Sequence, residues 1–166
     1  MNFSKNYRKK IFSKELIVSI VVAIIVFILD RVSKIIVIKH QAESKTSFFV
    51  NDYLNLDLVW NTGIGFGLFS HNANMFYHAI TFLIFLVIVF LINLTSKANL
   101  LDKVLFSLIL GGALGNFYDR LTYFAVPDFI DVHINNFHWF TFNIADIFIT
   151  IGIILLISKD VILIKK

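Results

Sequence analysis

Four long apolar stretches, each about the length of a bilayer-crossing helix, constrain this chain more than any other feature. They run Leu16–Ile38, Met75–Leu94, Val104–Leu121 and Phe142–Ile157, the last extendable to Ile164. Crossing the hydrocarbon core takes roughly 20 helical residues at about 1.5 Å each. Composition agrees, since 58% of the 166 residues are hydrophobic, above the usual share of a soluble domain. Lys9, Lys10 and Lys14 precede the first stretch as in a secretory signal, but Asp30 and Arg31 stand where a small-residue cleavage site belongs. The first stretch is therefore expected as a retained helix. The sequence has no cysteine, which excludes disulfides, thiol nucleophiles and thiolate metal sites.

Basic residues fall in the N-terminal tail (Lys5, Arg8, Lys9, Lys10, Lys14), between the second and third stretches (Lys97, Lys103) and at the C-terminus (Lys159, Lys165, Lys166). With four spans these regions share one side, the cytoplasm by the positive-inside rule. Both termini are then cytoplasmic, and connections 39–74 and 122–141 lie outside. The net charge of +4 reflects this topology and gives no reason to expect nucleic acid. No repeat or low-complexity tract divides the chain, so one membrane-embedded domain spanning 1–166 is expected.

The outer connections carry strand patterns. Leu54, Leu56, Leu58 and Trp60 alternate with more polar residues, and Ile130, Val132 and Ile134 alternate with Asp131, His133 and Asn135. A period of two marks a half-buried strand. Open sheet edges are not tolerated in hydrocarbon, so these strands belong at the water interface, where Trp60, Tyr123, Phe137 and Trp139 also fit.

Polar groups near the membrane are costly, so their positions are informative. Asp30 and Lys34 share a face of the first helix at i and i+4. Gly112, Asn116 and Asp119 follow one face of the third, with Arg120 adjacent; Asn143 and Asp146 begin the fourth; Asp128 lies between them. All converge on one shallow outer zone. Simpler roles compete with function here. Gly111–Gly115 reads first as helix packing, Asp30–Lys34 equally as a structural pair, and Asp119–Arg120 as a scaffold pair. His40, His71 and His78 read as interfacial side chains and the Phe residues as lipid-facing. His133 and His138, with Asp131 nearby, are of metal-ligating type, but no HExxH or equivalent spacing accompanies them, and no metal or other cofactor is expected.

With no Gly-x-Ser-x-Gly elbow, cysteine or phosphate loop, carboxylates are left as the proton-transfer groups. Two close carboxylates share a proton; one then activates water while the other polarises a carbonyl. Asp128 and Asp146 fit best, one on a loop and one at a helix end.

An ordered set of boxes resembles the lipoprotein signal peptidase (signal peptidase II) family. Asp30-Arg-Val-Ser-Lys34 is similar to its Asp-x-x-Thr-Lys box and Asn61-Thr-Gly63-Ile-Gly-Phe66 to its Asn-x-Gly-Ala-Ala-Phe box. Gly111-Gly-Ala-Leu-Gly-Asn-Phe-Tyr-Asp-Arg120 resembles its Gly-Gly-Ala-x-Gly-Asn-x-x-Asp-Arg box. Val126-Pro-Asp128-Phe129, then Phe142-Asn-Ile-Ala-Asp146, resemble its last two segments. The resemblance implies an all-α membrane protein, four transmembrane helices with a small extracytoplasmic β-cradle, in the bacterial cytoplasmic membrane. It implies an aspartic endopeptidase that removes the signal peptide from diacylglyceryl-modified prolipoproteins before the lipidated cysteine. Asp128 and Asp146 are its implied catalytic pair, supported by Asp30, Lys34, Asn61, Gly63, Asn116, Asp119, Arg120, Asn143 and Ala145. Membrane lipids and peptide antibiotics such as globomycin are implied partners, and an apolar groove beside the pair is expected for the diacylglyceryl group.

The sequence departs from the family at Ile64-Gly65, in place of Ala-Ala, and at Phe124, where glycine is common. Two rival readings are a transporter, which would carry its carboxylates near the midplane, and a scaffold, which leaves Asp128 and Asp146 unexplained.

Overall fold

The structure, a computed structural model, describes residues 13–44, 46–63, 73–135 and 137–164. The basic residues Lys5, Arg8, Lys9, Lys10, Lys165 and Lys166, together with His71 and the Ile64-Gly65-Phe66 part of the second box, lie outside the described residues. In chain order the elements are α1 (Lys14–Ser44), β1 (Phe48–Asn51), β2 (Leu54–Asn61), α2 (Ala73–Lys97), α3 (Leu100–Tyr123), β3 (Val126–Ile134), β4 (Phe137–His138) and α4 (Ile144–Ile164). The protein is thus mostly helical, with one small antiparallel sheet in the order β1-β2-β3-β4.

By length and composition α1, α2 and α3 are each able to cross a membrane. Their outward residues are apolar, with Ile24, Ile28, Leu83, Phe90 and Leu121 half or more exposed, as side chains facing lipid would be. The fourth expected span, α4, has 21 residues but carries Asp146, Lys159 and Asp160. It starts later than expected. Phe142 is not helical: its backbone bridges Ile130 of β3, accepting from Ile130 N at 2.8 Å and donating to Ile130 O at 3.2 Å. Helix α3 starts earlier than expected because Asn99 caps it, its side chain accepting from Asp102 N.

Helix α3 is central and is packed by α1 and α4. A Cβ at Gly111 would stand 2.6 Å from Ala23 O of α1, and one at Gly112 would stand 2.6 Å from Ala145 O of α4. Glycine therefore sits where two backbones meet, as the packing reading expects. At one end of the bundle Glu15 pairs with Lys103 at 3.2 Å and Asp102 pairs with Lys159. Ser19 and Ser107 share a buried 2.6 Å hydrogen bond nearby. The other end carries the sheet together with Asp30, Lys34, Asn116, Asp119, Asp128, Asn143 and Asp146.

Both expected strands form, but β3 turns the other way from its pattern. Asp131 and His133 are buried, while Val132 and Ile134 are exposed. Alternation alone specifies two faces, and the packing decides which is covered. Asp131 is satisfied by His138 at 2.9 Å, which permits its burial.

Candidate active site

Asp128 and Asp146 reach the site from β3 and from the first turn of α4. The backbone bridge between Ile130 and Phe142 holds these two elements together. Asn143 connects the carboxylates directly. Its Nδ2 donates to Asp128 Oδ1 at 2.6 Å, its backbone N–H donates to Asp146 Oδ2 at 3.1 Å, and its Oδ1 accepts from Asp146 N at 3.1 Å. The last two bonds form a capping box, Asn143 as N-cap and Asp146 three residues on. Ordinary helix-end chemistry thus fixes one carboxylate and aims an amide at the other.

Each carboxylate has a second amide donor. Asn61 Nδ2, at the end of β2, donates to Asp128 Oδ2 at 2.8 Å; Asn116 Nδ2 of α3 donates to Asp146 Oδ1 at 2.8 Å. A register shift between Leu56 and Val59 precedes the pairing of Val59 with Asp128 and Asn61 with Val126. Asn61 is itself held, its Oδ1 accepting from Gly63 N at 2.7 Å, and Gly63 takes a φ of 76° that glycine adopts without strain. Asp128 is 3% exposed. Burial pushes its carboxyl above the ordinary carboxylate value, and the charge of Asp146 acts in the same direction, against the Asn61 and Asn143 donors and Lys34.

Beneath the pair lies a buried ionic cluster. Lys34 Nζ reaches Asp30 at 2.8 Å, Asp119 at 2.6 Å and Asn116 Oδ1 at 2.8 Å. Asp30 Oδ1 accepts from Ala145 N at 3.1 Å, in the first turn of α4. Lys34 is 1% exposed, and Asp30, Asp119 and Asn143 are 0% exposed. One lysine therefore links α1, α3 and, through Asn116, the Asp146 carboxylate. Gly115 makes room for this, since a Cβ there would collide with the Asp30 carboxylate.

The expected Asp119–Arg120 scaffold pair is corrected. Asp119 pairs with Lys34 and with Arg31, whose Nη1 lies 2.5 Å from Asp119 Oδ1. Arg31 reaches Asp119 from the facing helix α1, so the place beside Asp119 is already filled. Arg120 instead donates to Asn116 O at 3.3 Å, its own carbonyl accepts from Tyr77 OH at 2.9 Å, and its guanidinium lies toward Gly63. Arg31 was not among the expected site residues. It also bonds Asp30 at 2.8 Å and stacks 4.9 Å over Tyr118. Its signal was present, because an arginine inside an apolar span needs partners.

Phe124, the second departure, closes α3 in the left-handed region with φ 55°, a conformation that costs about 1–2 kcal/mol for a residue with a Cβ. An apolar groove of about 680 Å³ lies between α1, α2 and α3, lined by Ala23, Phe27, Ile92, Leu114 and Phe117 among others. None of the carboxylate-site residues lines it, so it is not the groove expected beside the pair. His40 stacks on Phe48 with ring centroids 3.9 Å apart, and His78 packs near Phe124.

A family model described as signal peptidase (SPase) II matches residues 22–162. The chain belongs to the signal peptidase II family. A protein of Pelagibacter ubique named lipoprotein signal peptidase is 47% identical over 152 residues, covering 91% of this chain and 92% of that protein. Another of that name, from Anaplasma phagocytophilum, is 38% identical and covers 87% and 92%. Two solved bacterial membrane enzymes share the fold. One superposes with a TM-score of 0.70 at 35% identity, covering 85% of this chain and 90% of its own. The other has a TM-score of 0.66 at 36% identity, covering 86% and 87%. With α1, α2 and α3 each long and apolar enough to cross a membrane, this member of the family is a membrane protein.

Proposed function

We propose that this chain is an aspartic endopeptidase that removes the signal peptide from diacylglyceryl-modified prolipoproteins, cutting before the lipidated cysteine. The observation that carries the reading is the joint seating of Asp128 and Asp146 on Asn143, with neutral amides as the donors to either carboxylate among the described residues. A cation in that first layer would hold both groups ionised. Amides leave one proton to be shared.

The raised Asp128 supplies the protonated member, which donates to the scissile carbonyl oxygen and stabilises charge developing there. Asp146, in its capping position, takes a proton from the attacking water. The tetrahedral intermediate collapses as Asp146 passes that proton to the leaving amine nitrogen, the C–N bond breaks, and the re-forming carbonyl returns its proton to Asp128. The ionic cluster of Asp30, Arg31, Lys34 and Asp119 keeps α1, α3 and α4 in register, and so positions Asn116 and Asp146 without touching substrate.

In this reading the whole chain is one membrane-embedded domain, and α4 is a fourth span whose charged first turn lies at the outer interface. The Glu15–Lys103 and Asp102–Lys159 end faces the cytoplasm, and the sheet faces outward as the cradle, in a bacterial cytoplasmic membrane. Peptide inhibitors of the family such as globomycin would compete at the carboxylate pair.

The substrate must carry its lipid, because the pair sits at a fixed depth and acyl chains hold the scissile bond there at about 0.8 kcal/mol per buried methylene. The test compares diacylglyceryl-modified and unmodified precursors with purified protein in one membrane mimic. Cleavage confined to the modified form is expected; equal rates would replace this reading with that of a general membrane protease.

A further inference from the structure

The sheet register assembles a second polar site, separate from the carboxylate pair. His133 and His138 are direct partners across the β3–β4 ladder. Their rings stack with centroids 5.0 Å apart and planes 22° apart. Asp131 precedes His133 by two residues and so shares its face of the strand. Asp131 Oδ2 lies 2.9 Å from His138 Nδ1 and 3.5 Å from His133 Nδ1. One ligand atom from each of the three lies within 4.8 Å of the others. His133 is 9% exposed, and its Nδ1 is buried without a hydrogen-bond partner among the described residues. A buried nitrogen left so costs stability until something satisfies it.

We propose that Asp131, His133 and His138 bind a borderline divalent transition metal, zinc foremost. Two imidazole nitrogens and one carboxylate oxygen suit zinc, whereas calcium and magnesium prefer all-oxygen sites. Ligand atoms about 2.0–2.1 Å from a tetrahedral zinc stand roughly 3.4 Å from one another. The two Asp131–His separations already bracket that value, and His138, 55% exposed on its side chain, is free to turn inward and admits the ion from water. The fourth position is left for a water molecule. Spacing along the sequence argues against such a site because its ligands meet only through cross-strand register.

The site is structural in effect. Asp128 lies three residues before Asp131 and so projects from the opposite face of β3. The metal would clip the two-residue strand β4 onto β3 without touching the catalytic carboxylate.

The test titrates purified full-length protein, free of any polyhistidine tag, with Co²⁺ in detergent micelles. Visible absorption reports coordination, and Zn²⁺ serves as competitor. One equivalent of Co²⁺ in a four- or five-coordinate band, displaced by Zn²⁺, is expected. His138→Ala and Asp131→Asn should each weaken it about tenfold or more, and Asp128→Asn should leave it unchanged. His138 is exposed, so its variant folds even if that of Asp131 does not. No stoichiometric band at millimolar Co²⁺, or a band that survives His138→Ala, would overturn the site. So would a band lost in Asp128→Asn, which would place the ion at the carboxylate pair. Because the readout is metal coordination, the result is independent of peptidase activity.

Discussion

Replacing Gly112 by alanine tests whether the α3–α4 contact sets the geometry of the carboxylate pair. The new Cβ would stand 2.6 Å from Ala145 O and 2.9 Å from Ile149 Cγ1, where ordinary contact begins near 3.4 Å, so the helices must part by about 0.8 Å. The close atom is a backbone carbonyl in the first turn of α4, which cannot swing aside as a side chain can. Overpacking of this kind costs about 1–3 kcal/mol, or roughly 5 °C in melting temperature for a chain of this size. Asp146 is the next residue, so the displacement is passed to it almost in full. A misplacement near 1 Å costs about 10²-fold in rate. Gly111→Ala is the matched control: its Cβ would stand 2.6 Å from Ala23 O, pressing on α1 instead. The assay pairs thermal unfolding in micelles with single-turnover cleavage of a lipid-modified precursor. Similar melting losses are expected for both variants, with a rate loss of about 10²-fold for Gly112→Ala and a much smaller one for Gly111→Ala. Equal rate losses, or a wild-type rate in a destabilised Gly112→Ala, would refute the argument.

Lys34→Met removes the cation from between Asp30 and Asp119, both fully buried, leaving Arg31 alone to compensate; a loss of about 3–5 kcal/mol is expected as a lower melting temperature in micelles. The pH dependence follows from Asp128. Its raised folded value means that its protonated form adds stability below the ordinary carboxylate value, and that this contribution is lost as pH rises through the raised value. The cleavage rate should fall over the same upper window, read from a pH–rate profile. At Phe124, left-handed with φ 55°, Phe124→Gly should hold or raise the melting temperature, whereas Phe124→Val, β-branched in a region that disfavours it, should lower it.

How much of this was legible depended on the range of the interaction. The apolar stretches located the helices because the pattern of a span is local, with ends displaced by up to six residues where α1 runs on from the expected Ile38 to Ser44. The polar zone was legible because the bilayer makes each of Asp30, Lys34, Asn116 and Asp119 costly, so their shared depth stands out. Their partners were harder to read. Arg31 takes the place assigned to Arg120 because α1 packs against α3 and brings it to Asp119, a contact between helices that spacing along one helix does not show. Asn61 meets Asp128 across 67 residues, and Phe142 leaves the helix to pair with β3. Neither contact has a local signal. The inversion of β3, with Asp131 and His133 inward, likewise depends on a partner, His138, that arrives through strand pairing.

In the proposed function Asp128 and Asp146 carry the chemistry together. The direct measurement is the cleavage rate of a lipid-modified precursor by Asp128→Asn, Asp146→Asn and the double variant, each checked for wild-type-like unfolding. Each asparagine keeps the shape and loses the proton-transfer group, so the account predicts losses of about 10³-fold or more for either single variant. Groups that act as a unit are not additive, so the double variant should be little worse than the singles. Substantial cleavage by either folded single variant, or losses that simply multiply in the double, would contradict a shared-proton pair.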